Sequence, residues 1–212
     1  MTTTDDLITR LAAEPPAQTM RSNRMVLIIV ASIVAPVVVF LFTLGTRPNL
    51  ALAWTNPMVP FKTALPLATC LLAMSVLLRL ARPEARVGQA ALGFIALAVV
   101  ALTLWTATFA MRPPETRFAE VGAFSLSECL GLIVALAIIP TIATLRVLRQ
   151  GASTSPTLSG ALAGLTAASG VAVGYSMFCT RDNPLFFVTW YGVAILFVTL
   201  VSAVVGRRVL NW

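Results

Sequence analysis

Residues 25–44 read MVLIIVASIVAPVVVFLFTL, with no charged side chain in the run. As a helix rising 1.5 Å per residue it would cross about 30 Å, the thickness of a bilayer's hydrocarbon core. No water is available there to satisfy backbone amides, so an apolar run of this length must bond internally. The alternating pattern of a barrel strand is missing, which leaves a transmembrane helix. Working outward, five further stretches qualify on the same grounds: 61–80, 87–109, 129–148, 157–177 and 186–205. The expected fold is therefore all-α, a polytopic bundle of six transmembrane helices with both termini on one side.

Composition agrees. The 212 residues are 58% hydrophobic and 11% charged, with a mean hydropathy of +0.89. Soluble domains run at about 45–50% apolar and about 25% charged. The net charge of +7 does not read as a nucleic-acid footprint, because the basic residues stand singly or in pairs between apolar runs. They set topology instead. One side of the bundle receives Arg10, Arg21, Arg24, Arg79, Arg82, Arg86, Arg146, Arg149, Arg207 and Arg208, and the other Arg47, Lys62, Arg112, Arg117 and Arg181. The richer side is expected to be cytoplasmic, so both termini lie inside an inner membrane. The first 24 residues are polar and lack the apolar core of a secretory signal.

This divides the chain into a cytoplasmic tail (1–24), a membrane domain (25–208) and a short cytoplasmic end (209–212). Pro48, Pro57, Pro60, Pro83, Pro113, Pro114, Pro156 and Pro184 punctuate the connections, whereas Pro36, Pro66 and Pro140 fall within spans. Trp54, Trp105, Tyr175, Trp190 and Tyr191 fall near the outer interface and Trp212 near the inner one. Gly160, Gly164, Gly170 and Gly174 repeat the small-residue spacing that lets helix backbones approach, and are expected to pack inside the bundle.

The inventory for chemistry is thin. Histidine is absent, there is no phosphate loop, and no carboxylate lies deep in a span, where ion pathways usually place one. An enzyme or coupled transporter is therefore disfavoured, and no resident cofactor is expected. Three cysteines remain. Cys70 lies in mid-span, where a thiol serves as a small apolar side chain. Cys129 and Cys179 fall at one membrane depth, at the extracytoplasmic surface. They are free to pair as a disulfide, to share a soft metal ion with Met177 as a further candidate ligand, or to be unrelated. Glu128 and Asp182 beside them read as solvated surface charges, with help to a bound cation as the alternative. Neither cysteine belongs to a Cys-x-x-Cys motif, which argues against a thiol oxidoreductase, the rival reading.

The tail reads MTTTDDLITRLAAEPP. A short helix starting at Thr3 or Thr4 would place Asp5 and Asp6 at its positive end and stop before Pro15, with Leu7, Ile8 and Leu11 on one face. So short an amphipathic helix is marginal alone and suits docking on a membrane surface or in a partner's groove.

The tail motif Thr4-Asp5-Asp6-Leu7-Ile8 with Leu11-Ala12 resembles that of NrsF-type membrane anti-sigma factors. So do the closing segment from Cys179 to Phe186, then Trp190-Tyr191-Gly192 and Gly206 to Trp212. These proteins are negative regulators of extracytoplasmic-function sigma factors of the SigF type. The resemblance implies a protein that holds its sigma factor at the inner membrane and releases it on oxidative or heavy-metal stress. It implies that two extracytoplasmic cysteines do the sensing, which by position are Cys129 and Cys179, and that Asp5, Asp6, Leu7, Ile8 and Leu11 contact the sigma factor. The family often has His before the second cysteine and Pro after it. Here Phe178 and Thr180 stand in those places, which weakens a metal reading and leaves a thiol-redox one intact.

Overall fold

The computed structural model describes residues 4–13, 22–80, 88–118, 123–150 and 155–210. Arg21, Pro83, Arg82, Arg86 and Trp212 lie outside them, as do the side chains of Asp5, Asp6, Leu7, Arg10 and Leu11 within the first helix. The described chain is helical without strands. Its elements are α1 (Thr4–Ala13), α2 (Ser22–Leu44), α3 (Leu50–Ala53), α4 (Met58–Leu80), α5 (Gly88–Met111), α6 (Pro114–Arg117), α7 (Ala123–Leu148), α8 (Pro156–Ser176) and α9 (Pro184–Val209). Six of these, α2, α4, α5, α7, α8 and α9, are long and apolar enough to cross a membrane.

Punctuation follows elementary backbone chemistry. Gly45 ends α2 with φ +83°, and its amide closes on the Leu41 carbonyl at 3.0 Å. Only glycine adopts this left-handed cap without strain. Pro114, Pro156 and Pro184 each open a helix, where the missing amide proton would have had no partner. Pro60, expected in a connection, instead lies in the first turn of α4 for the same reason. Helices α2, α4 and α7 run on through Pro36, Pro66 and Pro140.

The centre of the bundle is α8, which packs against α9, α4, α7 and α2. Its sequence explains that position, because Gly, Ala, Ser and Thr leave room for neighbouring backbones. A Cβ on Gly160 would stand 2.5 Å from the Ser202 carbonyl oxygen, and one on Gly164 2.8 Å from the Val198 oxygen. The contact is fastened by Ser202 Oγ, which donates to the Gly160 carbonyl at 2.7 Å. Gly170 takes the side chain of Ile33 and Gly174 that of Val37. The small-residue stripe thus packs within the bundle, as its spacing predicts.

The periphery has the opposite character. Helix α5 leans on α4 and α9 and buries none of its span. Leu92, Ile95, Val99 and Leu102 project from it, as Val38, Phe42, Ile139 and Leu196 do from other helices. Such a belt of apolar side chains greatly exceeds what a protein exposes to water, and it marks a membrane protein.

The helices alternate in direction, giving the bundle two distinct ends. At one, Met25, Ile29, Leu77, Leu80, Leu145, Leu148, Leu162 and Leu210 form a mostly aliphatic core beside the arginines that close α4, α7 and α9. The other end is aromatic. There Phe40, Tyr175, Phe186, Phe187 and Tyr191 surround Cys129 and Cys179.

Candidate functional site

Cys129 lies near the start of α7, and Cys179 follows α8 in the short connection to α9. The sequence reading put both at a membrane surface, but they are 3% and 5% exposed. Aromatic packing buries them. Phe40 stands edge-on to Phe178 at 5.0 Å, and Tyr175 edge-on to Tyr191 at 5.7 Å. Both thiols are free, and they belong to one buried cluster. Tyr175 Oη donates to Cys129 Sγ at 3.1 Å.

Beneath Cys179 sits a group that sequence reasoning missed. Lys62, counted only as a topology-setting charge, is 0% exposed. Its ammonium donates to the carbonyls of Cys179 and Arg181 at 2.7 and 2.8 Å, and to Asp182 Oδ1 at 3.2 Å. The face of the Tyr191 ring lies 6.0 Å away, a further favourable contact for a cation. Asp182 is correspondingly not a solvated surface charge. Arg47 grips it with two parallel bonds of 2.8 Å, Nη1 to Oδ1 and Nη2 to Oδ2, the strong fork geometry of a guanidinium and a carboxylate. The Arg47 amide also donates to the Met177 carbonyl at 3.0 Å. Glu128, by contrast, is exposed.

The connection from 177 to 183 is therefore tied to three helices. Arg47 anchors it to the end of α2 and Lys62 to the start of α4. Asn183 caps α9, its side-chain oxygen accepting from the Leu185 amide at 3.1 Å. Burial opposes ionisation of Asp182, but the Arg47 hydrogen bonds and the Lys62 charge win and hold its carboxyl below the ordinary range. Asp182 in turn raises Arg47. The neighbouring Cys129 thiol is the largest influence on Cys179. With the Lys62 charge it outweighs burial and brings the Cys179 thiol below its usual value.

Among the described residues no group of three or more His, Cys, Asp or Glu side chains could hold a metal ion. Met177 is half-buried and stands outside the core cluster that contains the two cysteines. Cys70 lies apart in the aliphatic core, its thiol facing the Thr166 carbonyl at 3.4 Å, consistent with a packing role. In the tail, α1 forms where it was expected, and Ile8 is 58% exposed. The only sequence signal for Lys62 was its singularity: it is the one lysine in the chain, and it falls inside an apolar run.

Comparison with known proteins places this arrangement in context. No solved structure matches the chain. A relative from Azospira oryzae, described as a probable anti-sigma-F factor NrsF, is 34% identical over 99% of both chains. The family model for the negative regulator of sigma F matches residues 11–212. A six-helix membrane bundle matched from tail to final residue leaves one assignment: the chain belongs to the NrsF family of negative regulators of sigma F.

Proposed function

We propose that the protein is an inner-membrane anti-sigma factor, a binding and signalling protein rather than an enzyme, with both termini in the cytoplasm. Residues 1–24 capture an extracytoplasmic-function sigma factor, with Asp5 and Asp6 at the positive end of α1 and Leu7, Ile8 and Leu11 as its apolar face. Cys129 and Cys179 report oxidant or a soft metal from the extracytoplasmic side. The observation that carries the sensing reading is the juxtaposition of two cysteines 50 positions apart in one buried aromatic cluster, away from Cys70.

A local change at the thiols acts at a distance only if the bundle has two packings that differ in affinity for the sigma factor. The connection that carries Cys179 is anchored through Arg47 to α2, and α2 is the first span after the tail. Moving from 99% bound to 99% free requires about 5.5 kcal/mol, whereas a disulfide typically contributes about 2–4 kcal/mol. Partial release is the expected response. Replacing Cys129 or Cys179 with Ser should abolish induction of the sigma regulon by oxidant or metal, and Cys70→Ser should leave it intact. Normal induction in the Cys129/Cys179 double variant, measured with a transcriptional reporter, would remove the sensing reading.

A further inference from the structure

A groove of about 200 Å³ runs between α7 and α9, and the surface it presents is apolar. The two helices lie side by side, and both end at the arginine-bearing face of the bundle. Ile138 and Ile142 line the groove from α7, and Phe197, Val201 and Val205 from α9. All five are exposed, so the groove opens sideways to the bilayer rather than into the bundle. Val134 and Leu145 mark its two ends on α7, and a helix rises about 16 Å between them. That is the depth of one leaflet of a hydrocarbon core about 30 Å thick. The groove therefore reaches as far as the acyl chains of its own leaflet do.

Its mouth is basic. Arg149 stands four residues past Leu145, and Arg208 three past Val205, the spacings at which helical side chains share a face. The Arg149 amide still bonds to the Leu145 carbonyl at 3.0 Å, so the register of α7 persists to that point. The two arginines thus continue the two walls of the groove beyond its apolar part. Both are exposed, and neither guanidinium forms a hydrogen bond or ion pair with the described residues. Topology and the helix dipole both favour arginines at this end. Neither requires two of them to stand in register with a lipid-facing groove.

We propose that this face binds an anionic phospholipid, with one acyl chain lying in the groove and the phosphate held between Arg149 and Arg208. Guanidinium groups suit a phosphodiester because their paired N–H donors match two of its oxygens. Basic clefts between membrane helices are also where anionic headgroups settle. A second copy of the chain fits the face less well. A copy related by two-fold symmetry in the same bilayer presents the same surface, and it would set Arg149 and Arg208 against their own counterparts. A free anion would use the arginines but not the groove. The site lies at the opposite end of α7 from Cys129 and does not depend on the sensing reading.

The test uses the full-length protein, purified in detergent and stripped of lipid. Dioleoylphosphatidylglycerol is titrated against dioleoylphosphatidylcholine, a zwitterionic probe with the same chains. Bound lipid is counted by native mass spectrometry while the unfolding midpoint is followed. One phosphatidylglycerol should bind ahead of any phosphatidylcholine and raise the midpoint, because a ligand of the folded state stabilises it. Arg149→Gln with Arg208→Gln should weaken that binding at least about tenfold. Arg24→Gln with Arg79→Gln removes the same charge from exposed positions at the same end, on α2 and α4, and should leave it nearly unchanged. Val201→Trp fills the groove at an exposed position and should weaken binding with both arginines intact.

Equal losses in the two arginine pairs would mean that the basic end attracts anionic lipid as a whole, and full affinity in Val201→Trp that the headgroup alone is held. Either result overturns the proposal. So would equal protection by glycerophosphoglycerol, which has the headgroup and no chains. A dimer that Val201→Trp breaks without loss of lipid would assign the groove to a second copy and overturn it too. If the Arg149 and Arg208 pair of changes prevents folding, Val201→Trp and the comparison of the two lipids decide.

Discussion

Lys62 shows how one residue can be misread from sequence. A lysine inside an apolar run reads as a boundary marker whose amine reaches the interface. In the folded protein its ammonium is fully enclosed, and its three protons go to two carbonyls and Asp182. Those acceptors lie more than a hundred positions away in the chain, so nothing local announces them. The cluster has a testable consequence. Asp182→Asn leaves Lys62 enclosed without its counter-charge, which should destabilise the bundle by on the order of 3 kcal/mol, measured by thermal unfolding in detergent. Because the folded-state carboxyl sits below its ordinary range, this contribution is complete above a pH of about 4 and is lost as pH falls through the lowered value. The stability gap between wild type and Asp182→Asn should therefore be flat from neutral to mildly acidic pH and close under stronger acid. A gap that ignores pH would show that the charge of Asp182 contributes nothing.

At the scale of elements, the close packing of α8 within the bundle was the most legible feature. Gly160 and Gly164 announce a close approach, and the approach occurs, with Gly160 against Gly206 and Ser202. The partner helix was not legible, because small-residue spacing specifies a contact without saying what fills it. Gly160→Val would drive its branches into the backbone of α9 and should destabilise the protein by about 1–3 kcal/mol or more. Gly131 and Gly192 have open space where a Cβ would go, so alanine there should be neutral or slightly stabilising, since alanine is the better helix former. Comparing the unfolding midpoints of these three variants checks the claim. Equal losses at all three would mean that helix flexibility, rather than the α8–α9 contact, is what the glycines supply.

For the whole molecule, the proposed orientation and tail function stand or fall together. Reporter fusions should place residue 212 and the connection at 81–87 inside, and the connection at 112–122 outside. Labelling of Cys179 by a reagent confined to the cytoplasm would reverse the topology. Leu7→Glu should leave membrane insertion unchanged and weaken sigma capture at least tenfold, since burying a large apolar side chain contributes about 1.5–3 kcal/mol. Full repression in that variant would shift binding to the cytoplasmic connections.

The sequence by itself determined the six spans, most of their limits to within four residues with α7 beginning six earlier than expected, the existence of α1 and the family. Each depends on local information: the length of an apolar run, a proline or glycine at a terminus, a string of residues at either end. Tertiary structure alone decided that Cys129 and Cys179 are enclosed by aromatics rather than exposed at a surface, and that Arg47, Lys62 and Asp182 form one cluster beside them. These contacts join α2, α4 and the connection between α8 and α9. Membrane depth can be counted along a chain, but which helices become neighbours depends on how small and large side chains fit across the bundle, and that is settled only when all six pack together.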